Sequence, residues 1–153
     1  MADIVLAKNV GSLIALVAAS AAVTATAGGT GDATAVTGAS IDRASHKMPL
    51  SAAFGIAFET VLSASATLSI TSAKLQHSAD GSTWADFLTF DAPGVVATGA
   101  GTVDGIVKLD ADVSTANRYL RLVWTPDLSA SGTDTLKAQA LAVLAGGNVL
   151  PAV

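Results

Sequence analysis

A chain of 153 residues with a formal net charge of −4, no cysteine and only 13% charged side chains is long enough for one domain. It excludes disulfides, thiol nucleophiles and cysteine-based metal sites. Its eight basic residues are scattered, which leaves no electrostatic footprint for nucleic acid or for an anionic membrane. Soluble domains usually carry about 25% charged residues, so this composition, with a mean hydropathy of +0.57, predicts a surface partly covered by copies of the chain or by a partner.

The first elements are apolar. Asp3 to Ala7 and Ser12 to Ala27 are separated by Asn9 and Gly11. Alanine permits a helix over Leu13 to Ala22, whereas the β-branched alternation of Val23, Thr24 and Thr26 favours a strand. The stretch Leu13 to Ala27 has the outline of a secretory signal, with Lys8 before it and an Ala-x-Ala end. Its alanine richness and the preceding Asp3 favour an apolar strand or arm. It is too short and too threonine-rich to span a membrane. Gly28-Gly29-Thr30-Gly31-Asp32 then breaks the chain. It lacks the Gly-Lys-Ser/Thr ending of a phosphate loop and is expected to be a turn.

After the polar stretch Asp42 to Pro49, Phe54, Ile56 and Phe58 alternate with Gly55, Ala57 and Glu59, the pattern of a half-buried strand. Thr67 to Ser78 continues the pattern with a change of phase. Leu68 and Ile70 share one parity, Ala73 and Leu75 the other, which predicts a bulge or bend near Thr71-Ser72 where a strand passes from one sheet to another. Asp80-Gly81 marks a hairpin between Leu75 and Phe90, and Asp91 to Gly94 a further turn. Val95 to Gly105 is spaced by glycines and reads as rich in loops. Val103 to Leu109 alternates again. Asp110 and Asp112 could face one side of a turn, but the glycine and terminal glutamate of a calcium loop are missing, so capping is expected instead.

In the last third, Tyr119, Arg121 and Val123 alternate with Leu120, Leu122 and Trp124, and Asp134 to Gly146 supplies another strand. Leu120, Leu122 and Trp124 are expected in the core. Trp84, Tyr119 and Arg121 are expected to bind a partner, since Trp, Tyr and Arg are enriched in binding hot spots. His46 lies among Asp42, Arg43 and Lys47, and His77 sits beside the hairpin. Both read as solvated surface residues. No Gly-x-Ser-x-Gly elbow or other catalytic pattern occurs, so neither an enzyme nor a cofactor or metal site is expected.

Turn signals recur about every ten residues with strand patterns between them. The expected fold is an all-β, jelly-roll-like antiparallel β-sandwich in one domain over residues 1–153, with residues 1–30 as an apolar N-terminal strand or arm.

Leu75-Gln76-His77-Ser78-Ala79-Asp80-Gly81-Ser82-Thr83-Trp84 and Arg118-Tyr119-Leu120-Arg121-Leu122-Val123-Trp124-Thr125, followed by the small-residue strand Thr133 to Leu144, resemble the jelly-roll capsid cement, or decoration, proteins of tailed bacteriophages. The matching blocks cover under half of the chain. The resemblance implies a virion structural protein on the capsid exterior, made in the host cytoplasm. Its partners would be the major capsid protein and copies of itself, as a dimer or trimer. A phage tail component and a glycan-binding sandwich using Trp84 are the alternatives.

Overall fold

The structure, a computed structural model, describes residues 11–147 apart from 12 and 131. It is an antiparallel β-sandwich of jelly-roll character, one continuous sheet curled on itself around a single core. Among the described residues nine strands build it: β1 (Ile14–Ala18), β2 (Val23–Thr26), β3 (Val36–Thr37), β4 (Ile41–Asp42), β5 (Ser51–Ser78), β6 (Ala85–Thr89), β7 (Gly94–Asp112), β8 (Tyr119–Leu128) and β9 (Thr135–Ala145). A short 3-10 helix, Arg43–His46, follows β4.

The 28-residue β5 organises everything else. Its first half pairs with β9 on one side and with the end of β7 on the other. Its second half pairs with β8 on one side and with β6 and the start of β7 on the other. One strand thus serves both halves of the sandwich, with β1 and β2 extending the first half beyond β9 and β3 and β4 extending the second beyond β8.

The predicted change of phase is present. Buried positions run through Phe54, Ile56, Leu68 and Ile70, then shift to Ala73 and Leu75. The β5–β8 register slips between Ile70 and Ser72, so Thr71 is the extra residue of a bulge that turns the strand over.

A second corner lies at Ser63-Ala64-Ser65, where β5 leaves the ladder with β7 and Ser65 takes a φ of 65°. Opposite it, Gly99 and Gly101 have φ values of 128° and 98°, which only glycine adopts without strain. The buried carboxylate of Asp134 fixes this corner by accepting the Ser63 N–H (2.9 Å) and hydroxyl (3.2 Å). Val95 to Gly105 is therefore strand rather than loop. Its glycines let β7 follow the bend of β5.

The core is filled by alternate residues of the long strands. Leu120, Leu122 and Trp124 are all fully buried, as expected, and each buried Leu contributes about 1.5–3 kcal/mol. Alanines 138, 140 and 142 of β9 are buried too but supply little apolar area each. Leu13 to Ala22 contains strand β1, not a helix, because pairing with β9 buries alternate residues such as Ala15 and outweighs alanine's local preference. Of the expected N-terminal arm, β1 and β2 pair within the same chain; residues 1–10 lie outside the described residues. The consecutive strands β8 and β9 do not form a hairpin. They flank opposite halves of β5.

Polar tethers close the loops. Asp32 accepts the Gly28 N–H at 2.7 Å and, far along the chain, the Leu128 N–H at 2.8 Å. The loop that superficially suggested a phosphate cradle therefore spends an amide on its own carboxylate. Arg43 is 1% exposed. Its guanidinium donates to the carbonyls of Ala116, Asn117 and Pro49, tying the loop before β8 to the 3-10 helix, and burial pushes its pKa down.

Candidate partner-binding surface

The β5–β6 hairpin carries the first of the expected contact residues. Its turn is built around Asp80. The Asp80 carboxylate accepts the Thr83 N–H (2.8 Å), the Ser82 N–H (2.9 Å) and the Ser78 hydroxyl (2.9 Å). These bonds hold its pKa well below the usual carboxylate range, the Thr83 and Ser82 amides most of all. Gly81 has a φ of 76° and completes the turn. The fixed loop delivers Trp84 to the start of β6, on the outward side of the second half-sheet.

There it meets β8. The Arg121 guanidinium lies 4.2 Å from the centroid of the Trp84 ring, a cation–π contact. Arg121 Nε donates to Gln76 Oε1 (2.8 Å), and Gln76 Nε2 donates to Asp86 Oδ1 (2.6 Å). Lys74 Nζ pairs with the other oxygen of Asp86 at 3.0 Å. Gln76 and then Lys74 lower the pKa of Asp86. Tyr119, two residues before Arg121 and on the same face, rests its ring beside Gly81, where an added Cβ would stand 3.6 Å from the ring.

Arg118 lies 5.0 Å over Tyr119 and grips Asp42 with two bonds, Nε to Oδ1 at 2.9 Å and Nη2 to Oδ2 at 2.7 Å. The Arg118 guanidinium, helped by the Ala44 amide, lowers the pKa of Asp42 to about 2.

The structure thus brings Trp84, Tyr119 and Arg121 together on one outward face. Gln76, Asp86 and Lys74 join them. Sequence reasoning missed these three, although Lys74 and Gln76 sit at the outward parity of β5. Such a face offers an indole, a phenol and oriented cationic donors, which suits a partner presenting carbonyl, carboxylate or hydroxyl groups beside apolar surface.

No family model and no curated protein matches this chain. Solved structures do resemble it. The VP2 subviral particle of infectious bursal disease virus is 17% identical with a TM-score of 0.49, over 88% of this chain and 33% of that one. The Gx strain structure of the same virus is 16% identical with a TM-score of 0.47, over 92% and 35%. A family 22 carbohydrate-binding module of Clostridium thermocellum Xyn10B is 14% identical with a TM-score of 0.38, over 88% and 87%. The chain spans about a third of the length of the viral chains it matches.

His77, Asp110 and Asp112 have structural partners. His77 Nδ1 accepts the Asn117 N–H at 3.2 Å, and its ring lies 5.0 Å from that of Phe87. His77 is thus half-buried packing rather than free surface. Asp110 pairs with Lys108 at 3.0 Å, while Asp112 caps the loop by accepting the Ser114 N–H at 2.9 Å. An apolar groove of about 280 Å³ opens between β2 and β3, lined by Val23, Ala25, Val36, Pro126 and Leu136 among others. Among the described residues, no helix is long and apolar enough to cross a membrane.

Proposed function

We propose that the chain is a structural protein of a tailed-bacteriophage virion, a capsid cement protein that binds the outer shell across subunit seams and opposes the pressure of packaged DNA. The observation that carries this reading is the convergence of Trp84, Arg121 and Tyr119 on one outward sheet face. These are the residues within the two motifs that resemble cement proteins. A rigid sheet presents such anchors without ordering a loop on binding, which removes part of the entropic cost of association.

The partner is the major capsid protein, and the site of action is the capsid exterior. A specific interface buries about 800 Å² per partner. Hundreds of copies on a shell convert modest contacts into a strong lattice through multivalency. The test is a virion lacking the gene. It should release DNA at lower temperature, or sooner in chelator, than the complete virion, and purified protein added back should restore the difference. Identical release curves would reject the reading.

A tail location belongs to the same setting, and immuno-gold labelling separates head from tail. Glycan binding is the reading from another class. It is favoured by one observation, the indole of Trp84 set among the polar side chains of Gln76, Asp86 and Arg121. Against it, Arg121 already covers one side of that indole. A glycan array decides between the two classes.

A further inference from the structure

The outer face of the first half-sheet is apolar and uncovered among the described residues. The ladders place its residues in rows. Leu16 of β1 lies beside Val143 of β9, and Val143 beside Ala53 of β5. The next row runs Ala18, Leu141, Gly55. Ala57 then adjoins Ile106 of β7. Leu16 is 68% exposed and Ile106 66% exposed. A ridge of Leu16, Val143 and Leu141 therefore borders the small Ala53 and Ala57 of β5, while the Ile106 side chain leans over Gly55, its Cδ1 2.9 Å from where a Cβ there would stand. The rim is polar, with Lys137 paired to Glu59 at 3.3 Å and Lys108 to Asp110 at 3.0 Å.

We infer that this face packs against the same face of a second copy of the chain, forming a two-fold sheet-on-sheet dimer. The inference names a partner within the proposed shell assembly and rests on that reading only for where the dimer acts.

Three features select a second copy. The first is shape. A two-fold axis along β9 sets Leu16 over the partner's Ala53, a large side chain over a small one in both directions, as an isologous interface requires. Sheets stacked face to face interdigitate at a spacing of about 10 Å.

The second is area. With strands about 4.8 Å apart and residues about 3.4 Å along each, the apolar centre covers about 260 Å² and the whole four-strand face about 700 Å². That approaches the roughly 800 Å² per partner of a standard interface, with the expected apolar centre and polar rim.

The third is charge. A chain of net charge −4 repels its own copy, and this face keeps its charges at the rim, where Lys137–Glu59 and Lys108–Asp110 are paired within the chain. The free edge of β7 is the poorer candidate. It carries Asp104, Lys108 and Asp110 and is kinked at Gly99 and Gly101, devices that discourage edge-to-edge pairing.

Sedimentation equilibrium of the purified full chain at tens of micromolar tests the inference. The expected mass is twice the 15.1 kDa of one chain. Leu16→Glu and Ala53→Glu should each return it to one chain with the circular dichroism spectrum unchanged. Val95→Glu, at an exposed position on the part of β7 beside the other half of β5, should leave the dimer intact.

A second measurement uses the absence of cysteine. The single variant Val143→Cys places one thiol per copy on the proposed axis, about 10 Å from its partner across the stacked sheets. A bis-maleimide of about that span should therefore yield a covalent two-chain product, which one thiol cannot form within a copy.

A wild-type mass of one chain or of three, or a dimer that survives Leu16→Glu and fails to cross-link, would overturn the inference. A monomer that still restores virion stability removes the dimer and leaves the proposed function standing. A dimer that restores nothing does the reverse.

Discussion

The guanidinium of Arg121 stacks on the ring of Trp84, 4.2 Å from its centroid, although 36 residues, with the whole of β6 and β7 among them, separate the two in sequence. The contact joins β8 to the start of β6 across the edge of β5. It holds both side chains in the orientation they would need at an interface.

A cation–π contact at such a site contributes about 0.5–1 kcal/mol. A double-mutant cycle with Trp84→Ala and Arg121→Ala should give a coupling energy of that size in urea unfolding. The same variants should weaken shell binding far more than stability. Hot-spot truncations cost about 2 kcal/mol or more in binding, roughly 30-fold in Kd.

The Asp42–Arg118 pair predicts an acid-sensitive clamp. The pKa of Asp42 falls from 3.8 to about 2 in the fold, so the folded state favours the carboxylate. Its contribution is complete above about pH 3.8 and is lost as the pH falls through 2. The pair is partly exposed and is worth about 0.5–1 kcal/mol. Asp42→Asn should lower stability by that amount at pH 7 and flatten this part of the acid limb. Denaturant melts of both proteins between pH 2 and pH 5 check it.

Trp124 is fully buried, and its indole N–H has no acceptor among the described residues. Trp124→Ala should cost about 3–5 kcal/mol through the cavity it leaves. Trp124→Phe should cost much less, because it also removes a buried donor that lacks a partner. Thermal denaturation of both variants gives the ranking. Equal costs would contradict it.

Gly38 joins the two halves of the sandwich. Its N–H donates to the Leu122 carbonyl at 2.8 Å, and the next amide, of Ala39, donates to Ala19 at 2.8 Å. A Cβ at this position would stand 2.5 Å from both the Ala19 and the Leu122 carbonyl oxygens. These are backbone atoms held in place by the sheet, so Gly38→Ala should cost more than about 2 kcal/mol. Gly94→Ala meets open space and only the strain of a φ of 69°, about 1 kcal/mol.

Much of the architecture was legible because burial parity is written into the strands. The shift from Leu68 and Ile70 to Ala73 and Leu75 located the bulge at Thr71. The alternation around Trp124 located the core face of β8. Parity does not reveal long-range pairing. That β9 sits against the first half of β5, with Leu144 beside Ala52, depends on how the whole chain curls.

The glycines of β7 misled for a related reason. Gly99 and Gly101 mark a bend, and a bend looks like a loop until its partner strand is known to bend at the same place. Leu13 to Ala22 stayed ambiguous because alanine accepts helix and strand alike once pairing is available. At the candidate surface, Trp84, Tyr119 and Arg121 were legible from residue type alone. The link through Gln76 and Asp86 was not, because a register shift at Leu75/Gln76 sets their opposition.

The face of Trp84, Tyr119 and Arg121 is proposed to bind a capsid shell. Co-sedimentation of labelled protein with expanded shells stripped of it tests this most directly. Saturable binding at micromolar concentration or below is expected, with a fixed number of copies per shell, reduced about 30-fold or more by Trp84→Ala or Arg121→Ala. Wild-type protein that stays in the supernatant at micromolar concentration, or variants that bind as tightly as wild type, would contradict it.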